Sequence, residues 1–114
     1  MNHEVTHDDT AVALGSGEVD VLGTPRLVAW LEAASVAAAG PLLGDGETTV
    51  GTAVRVRHRR PTPVGGSVEV HAEAPTTRES DRLTFTVHAV DGAGEVVADG
   101  EIDRVVVDRS TFGR

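Results

Sequence analysis

The sequence has no cysteine and no tyrosine, a single tryptophan and two phenylalanines, and its ten basic residues are outnumbered by eighteen acidic ones. Without cysteine, disulfides and thiolate metal sites are excluded, and a reducing, cytoplasmic setting is the expectation. Three rings, Trp30, Phe85 and Phe112, are too few to build platforms for nucleic-acid bases. A net charge of −8 argues against a general binder of nucleic acid or of anionic membranes. No apolar run approaches the roughly 20 residues that a bilayer requires. The opening residues, MNHEVTHDDT, are polar and acidic, the opposite of a secretory signal. Neither nucleic acid nor a membrane is therefore expected as a partner.

What is present fits one domain over residues 1–114, with residues 1–9 read as a loose tail. Thr10 to Leu14 (TAVAL) reads as a short strand closed by a Gly-Ser-Gly turn. Thr24-Pro25 is a helix start, with threonine as the cap and proline at the first helical position. The run LVAWLEAASVAAAGPLL follows, and Glu32 is its only charged residue. At about 100° per residue, Leu27, Leu31, Ala34 and Ala38 share one side, while Val28, Ala29, Ala33 and Val36 cover the rest. A helix that is apolar all round is a buried helix, here ended by Gly40-Pro41. It carries one carboxylate inward, and buried carboxylates are paired or used for chemistry.

The second half changes period. Thr48 to Arg59, Ser67 to Ala74 and Leu83 to Val90 alternate apolar and polar residues, as half-buried strands do. Asp91-Gly92-Ala93-Gly94 marks a hairpin turn before a long last strand over Glu95 to Asp108. One strand, one buried helix and four strands on short turns describe an α+β protein with an antiparallel meander. To bury a single helix on most sides, the sheet must wrap it. The expected architecture is the hotdog fold, one long central helix wrapped by a five-stranded antiparallel sheet. Its uncovered surface calls for a homodimer or a tetramer.

Three polar residues stand out, and each has a plain structural reading. Thr24 caps a helix, Glu32 is a buried acid held by hydrogen bonds, and His58 is a satisfied imidazole on an apolar strand face. His3 and His7 fall in the tail, while His71 and His88 fall on the polar sides of their strands. Arg55, Arg57, His58, Arg59 and Arg60 form a local basic cluster in an acidic chain. It is either a solvated strand face or a grip on a phosphorylated ligand, since guanidinium groups bind phosphate with two prongs.

Taken in order, VLGTPRLVAWLEAAS, GETTVGTAVRVRHRRPTPVGGSVEV, RLTFTVHAVD and DRVVVDRSTF resemble the fluoroacetyl-CoA thioesterase-like family of hotdog proteins. The resemblance runs from Val19 to Phe112. It implies an acyl-CoA thioesterase, with Thr24, Glu32 and His58 as the reacting set and coenzyme A entering only as part of the substrate, with no separate cofactor or metal. It further implies that the Gly51 backbone N–H polarises the thioester carbonyl and that Arg104 is a pocket residue. Arg57, Arg59 and Arg60 are then the groups to meet the coenzyme A phosphates. Glu32 can act as a base toward water or as a nucleophile. Two departures bear on the acyl group. The segment GEVDVLG before Thr24 has no aromatic residue, and Ile102 stands where the family often has histidine; both point to a short acyl group other than fluoroacetyl. A non-catalytic acyl-CoA binding module and an enoyl-thioester hydratase are the alternatives.

Overall fold

The computed structural model describes residues 1–114. The elements in order are β1 (Asn2–Glu4), a short helical turn α1 (Ala11–Leu14), the long helix α2 (Thr24–Ala39), and strands β2 (Glu47–His58), β3 (Ser67–Glu73), β4 (Arg82–Asp91) and β5 (Val96–Asp108). The strands form one five-stranded antiparallel sheet in the order β1-β3-β4-β5-β2. This is the expected hotdog architecture, a sheet curled round one helix. The connectivity differs from a simple meander. Only β3, β4 and β5 follow one another, and β2 crosses to lie beside β5, where it forms one edge.

Burial follows the alternation. Along β4 the residues Leu83, Phe85, Val87 and Ala89 are buried and those between them are exposed. They pack with Ile102 of β5 and Val68 and Val70 of β3 against Leu27, Leu31, Ala34 and Ala39 of α2. The turn between β4 and β5 closes on Asp91, whose carboxylate accepts from the backbone N–H groups of Ala93 and Glu95. Gly94 supplies the left-handed residue of that turn, at φ 81°.

Three expectations are corrected. Residues 1–9 are no loose tail: β1 pairs with β3, Val5 is 1% exposed, and the Met1 ammonium donates to the Val70 carbonyl at 3.1 Å. Thr10 to Leu14 is not a strand. The Thr10 hydroxyl accepts from the Ala13 N–H at 3.1 Å and caps the turn α1; the fifth strand of the sheet is β1 instead. Finally, α2 is not buried all round. Ala29, Ala33, Val36 and Ala37 are exposed, because the sheet covers one side of the helix only.

Candidate active site

Two groups of side chains converge between α2 and β2. At the start of the helix Gly23 takes the cap position, so the Thr24 hydroxyl is not consumed by a backbone N–H. It shares a 2.8 Å hydrogen bond with Nδ1 of His58, the last residue of β2. When Nδ1 carries no proton, the hydroxyl donates and the imidazole can take its proton. Burial of the ring pushes the His58 pKa below the usual histidine value, against a smaller opposing contribution from the Arg60 backbone. The imidazole is therefore neutral near pH 7 and able to act as a base. Its Nε2 is buried without a hydrogen-bond partner.

The second group surrounds Glu32. Arg104 on β5 is 6% exposed and reaches Glu32 Oε2 through Nη1 at 3.2 Å. Its Nε donates to the Thr49 hydroxyl at 2.8 Å and its Nη2 to the Thr49 carbonyl at 3.2 Å. A buried guanidinium needs such a set of acceptors. The carboxylate also lies against Gly51: a Cβ there would stand 2.6 Å from Glu32 Oε2. Only glycine lets the acid approach the β2 backbone this closely. The Glu32 side chain remains 37% exposed, so a substrate can reach it.

These groups form two clusters and not one. Thr24 and Glu32 are eight residues apart on one helix, an axial separation of about 12 Å. Thr24 meets His58, and Glu32 meets Gly51 and Arg104. Within one chain the acid therefore does not stand beside the imidazole and the hydroxyl. Thr49 is a member that the sequence reading passed over. It belongs to the TTVG stretch before His58, and its position two residues from Gly51 on the same face was the available signal.

A cleft of about 270 Å³ opens at the Thr24–His58 pair, lined also by Ala11, Ser16, Leu22 and Arg60. None of its lining residues is phenylalanine, tyrosine or tryptophan. Phe85 is sealed in the core, and Trp30 stacks on His3 with ring centroids 4.3 Å apart, so neither lines the cleft. The basic cluster is largely neutralised. Arg55 holds Asp103 and Glu101, Arg59 holds Asp99 at 2.9 Å, and Arg60 faces Glu95 at 3.6 Å. Arg57 has no acidic partner within ion-pair distance, while His71 and His88 stack on each other at 4.7 Å on the outer face.

A wrapped helix bearing an acid, with a hydroxyl–imidazole pair at its start, places the chain among hotdog proteins of the thioesterase type. The family profile described as fluoroacetyl-CoA-specific thioesterase matches residues 5–110. A curated fluoroacetyl-CoA thioesterase of Streptantibioticus cattleyicolor is 38% identical over 93 residues, covering 82% of this chain and 66% of that protein. Among solved structures, a mutant of the fluoroacetyl-CoA thioesterase FlK in complex with fluoroacetate superposes with a TM-score of 0.87 at 30% identity, covering 98% of this chain and 87% of the other. A thioesterase superfamily member from Thermus thermophilus gives a TM-score of 0.86 at 25% identity, over 96% and 80% of the two chains. The chain belongs to the fluoroacetyl-CoA-specific thioesterase family, whose members are thioester hydrolases.

Proposed function

We propose that this protein is an acyl-CoA thioesterase, with Thr24, Glu32 and His58 as its reacting groups. The observation that carries the reading is the 2.8 Å Thr24–His58 bond at the mouth of a cleft, together with a carboxylate laid against the bare backbone of Gly51. Thioester hydrolysis needs an attacking oxygen, a proton acceptor and stabilisation of the developing oxyanion. The leaving thiol has a pKa of about 8.5 and needs little acid help. Arg104 ties down one oxygen of Glu32 and leaves the other for water or for the acyl carbon. His58 accepts the proton that Thr24 relays, and the Gly51 backbone N–H is the candidate oxyanion donor. Arg59 and Arg60, which line the cleft, are the first choice for a coenzyme A phosphate, with the unneutralised Arg57 behind them on the outer face of the sheet.

In this reading the working form is a homodimer whose sites are shared. The two clusters of one chain lie too far apart to act on one carbonyl, and β2 is an unpaired edge strand. Pairing β2 with its copy about a two-fold axis halfway between Gly51 and His58 sets the Glu32 cluster of one chain against the Thr24–His58 cluster of the other. Val54, 42% exposed at that midpoint, would be covered. The cleft, without phenylalanine, tyrosine or tryptophan in its walls, favours a short acyl group and gives nothing that would single out fluoroacetyl.

The test is thiol release from a panel of short acyl-CoA esters by wild type, Glu32→Ala and His58→Ala. Each variant alone should lose at least about 100-fold in kcat. Mixing the two inactive variants under conditions of subunit exchange should restore turnover, because a mixed dimer holds one complete shared site. No turnover of any ester by the wild type sinks the enzyme reading. Active single variants, or no recovery on mixing, sink the assignment of the shared site.

A further inference from the structure

Gly51 and His58 are seven residues apart. In a regular strand an odd separation puts two residues on opposite faces of the sheet. Here both face α2. Gly51 lies opposite Arg104 and His58 opposite Ala98 on β5. Arg104 and Ala98 in turn lie opposite the buried Leu83 and Ala89 of β4. The parity is repaired by one extra residue. Gly51 pairs with Arg104 and Ala53 with Asp103, so two steps on β2 match one on β5, and Thr52 is a β-bulge. Before it Thr49 and Gly51 face the helix; after it Val54, Val56 and His58 do.

The bulge is held from behind. Asp103, opposite Ala53, points to the outer face of the sheet and is only 9% exposed. Arg55 donates to both its oxygens, at 3.0 and 2.9 Å, and the Thr84 hydroxyl donates to Oδ1 at 2.9 Å. The Thr52 hydroxyl donates to the Asp103 carbonyl at 3.3 Å. The next residue, Arg104, leaves β5 on the opposite face and reaches Glu32. One dipeptide therefore grips the bulge on the outside and the acid on the inside.

We propose that Asp103, clamped by Arg55 and Thr84, is a positioning residue that holds the Thr52 bulge so that Gly51 and His58 turn to the same face. The kinetic part of this proposal rests on the thioesterase reading; the structural part does not. Displacements of about 1 Å at reacting groups cost on the order of 100-fold in rate. Asp103→Asn keeps the shape and the Thr84 bond but loosens Arg55. It should lower kcat 10- to 100-fold with KM within threefold. In a His58→Ala background it should add little, because the two substitutions then remove the same alignment. Glu47→Gln is the control. It breaks another arginine–carboxylate pair, with Arg78 at 2.6 Å, far from the bulge, and should leave kcat unchanged.

A second readout needs no substrate. The NMR titration midpoint of His58, depressed in the wild type, should move back toward the ordinary histidine value in Asp103→Asn, as the ring leaves its packed position. If Asp103→Asn does not fold, Arg55→Lys, which keeps the charge without the two-pronged bond, carries the same measurements. A folded variant with wild-type kcat, a kcat loss additive with His58→Ala, or an unmoved His58 titration each overturns the positioning role. A wild type that hydrolyses no ester, with the His58 titration shifted in the variant, overturns the thioesterase reading alone.

Discussion

Gly51→Ala separates function from fold. The backbone at Gly51 is not in the left-handed region, so the substitution tests space alone. The added methyl would stand 2.6 Å from Glu32 Oε2 and 3.3 Å from Arg104 Nη1. Ordinary contact begins at 3.4 Å, so the carboxylate must retreat by about 0.8 Å. That retreat stretches the 3.2 Å bond to Arg104 beyond hydrogen-bonding range. The atom that yields is the tip of a flexible, partly exposed side chain, so the backbone need not move. Arg104 keeps both its bonds to Thr49. Arg104 is buried, so losing its carboxylate partner costs about 1–3 kcal/mol, offset in part by about 0.4–1 kcal/mol from the stiffer unfolded chain. Tm should fall by no more than roughly 10 °C. The reacting acid, misplaced by close to 1 Å, should lose on the order of 100-fold in kcat. Thiol release and thermal melting by circular dichroism, run side by side, decide the matter. A kcat within threefold of the wild type would refute the role given to Glu32 and Gly51. A fall in Tm of more than about 10 °C would show that the backbone, and not the carboxylate, absorbs the clash.

Thr24→Val should lower kcat by about 10- to 100-fold while Thr24→Ser keeps most of it, because the hydroxyl bonded to His58 is what the first removes and the second retains; steady-state kinetics of the pair checks this. Phe85→Ala empties a site with no exposure at the centre of the sheet and should cost about 3–5 kcal/mol in denaturant unfolding. Arg78 holds the Glu47 pKa at about 2 and Arg55 holds Asp103 at about 2, both below their unfolded values of 4.5 and 3.8. The unfolded chain binds more protons between those limits, so this stability is complete above pH of about 4.5 and is lost as pH falls toward 2; acid unfolding followed by circular dichroism should lie in that window. His58 works in the same direction higher up. Its neutral form is favoured in the fold, so kcat should hold as pH drops to the ordinary histidine value of 6.5 and fall below it, as a pH–rate profile will show.

Much of the fold was legible because it is periodic. The alternation of β4 needs no tertiary information, and the same is true of the apolar run that makes α2. The elements that escaped are those whose cause is distant. A three-residue strand such as Asn2–Glu4 has too few positions to show a period, and it exists because Ser67 to Glu69 offers it an edge. The turn at Ala11 depends on a single hydroxyl, that of Thr10, while its apolar composition suits a strand equally well. The site was half legible. Glu32 stood out against an apolar run, and Thr24 and His58 were found through their order along the chain. Their division into two clusters follows from the rise of the helix. The Thr52 bulge was hidden because the alternation on either side of it is regular and only the pairing with β5 reveals the slip. The partners of Arg55, Arg59 and Arg60 were equally out of view, since each acid lies about 35 to 48 residues further along the chain.

The face-to-face contact of His3 and Trp30 gives the molecule a built-in optical reporter. Trp30 is the only indole and there is no phenol to compete with it, so its emission speaks for one place alone. Burial and the nearby terminal ammonium keep the His3 ring below its usual pKa, against a smaller pull from Asp9. A protonated imidazole quenches an adjacent indole, so acidification or fraying of the first strand should each leave a distinct mark on the fluorescence. Residues fused ahead of Met1 would convert its ammonium to an amide and alter that signal, which recommends placing any affinity tag at the other end of the chain.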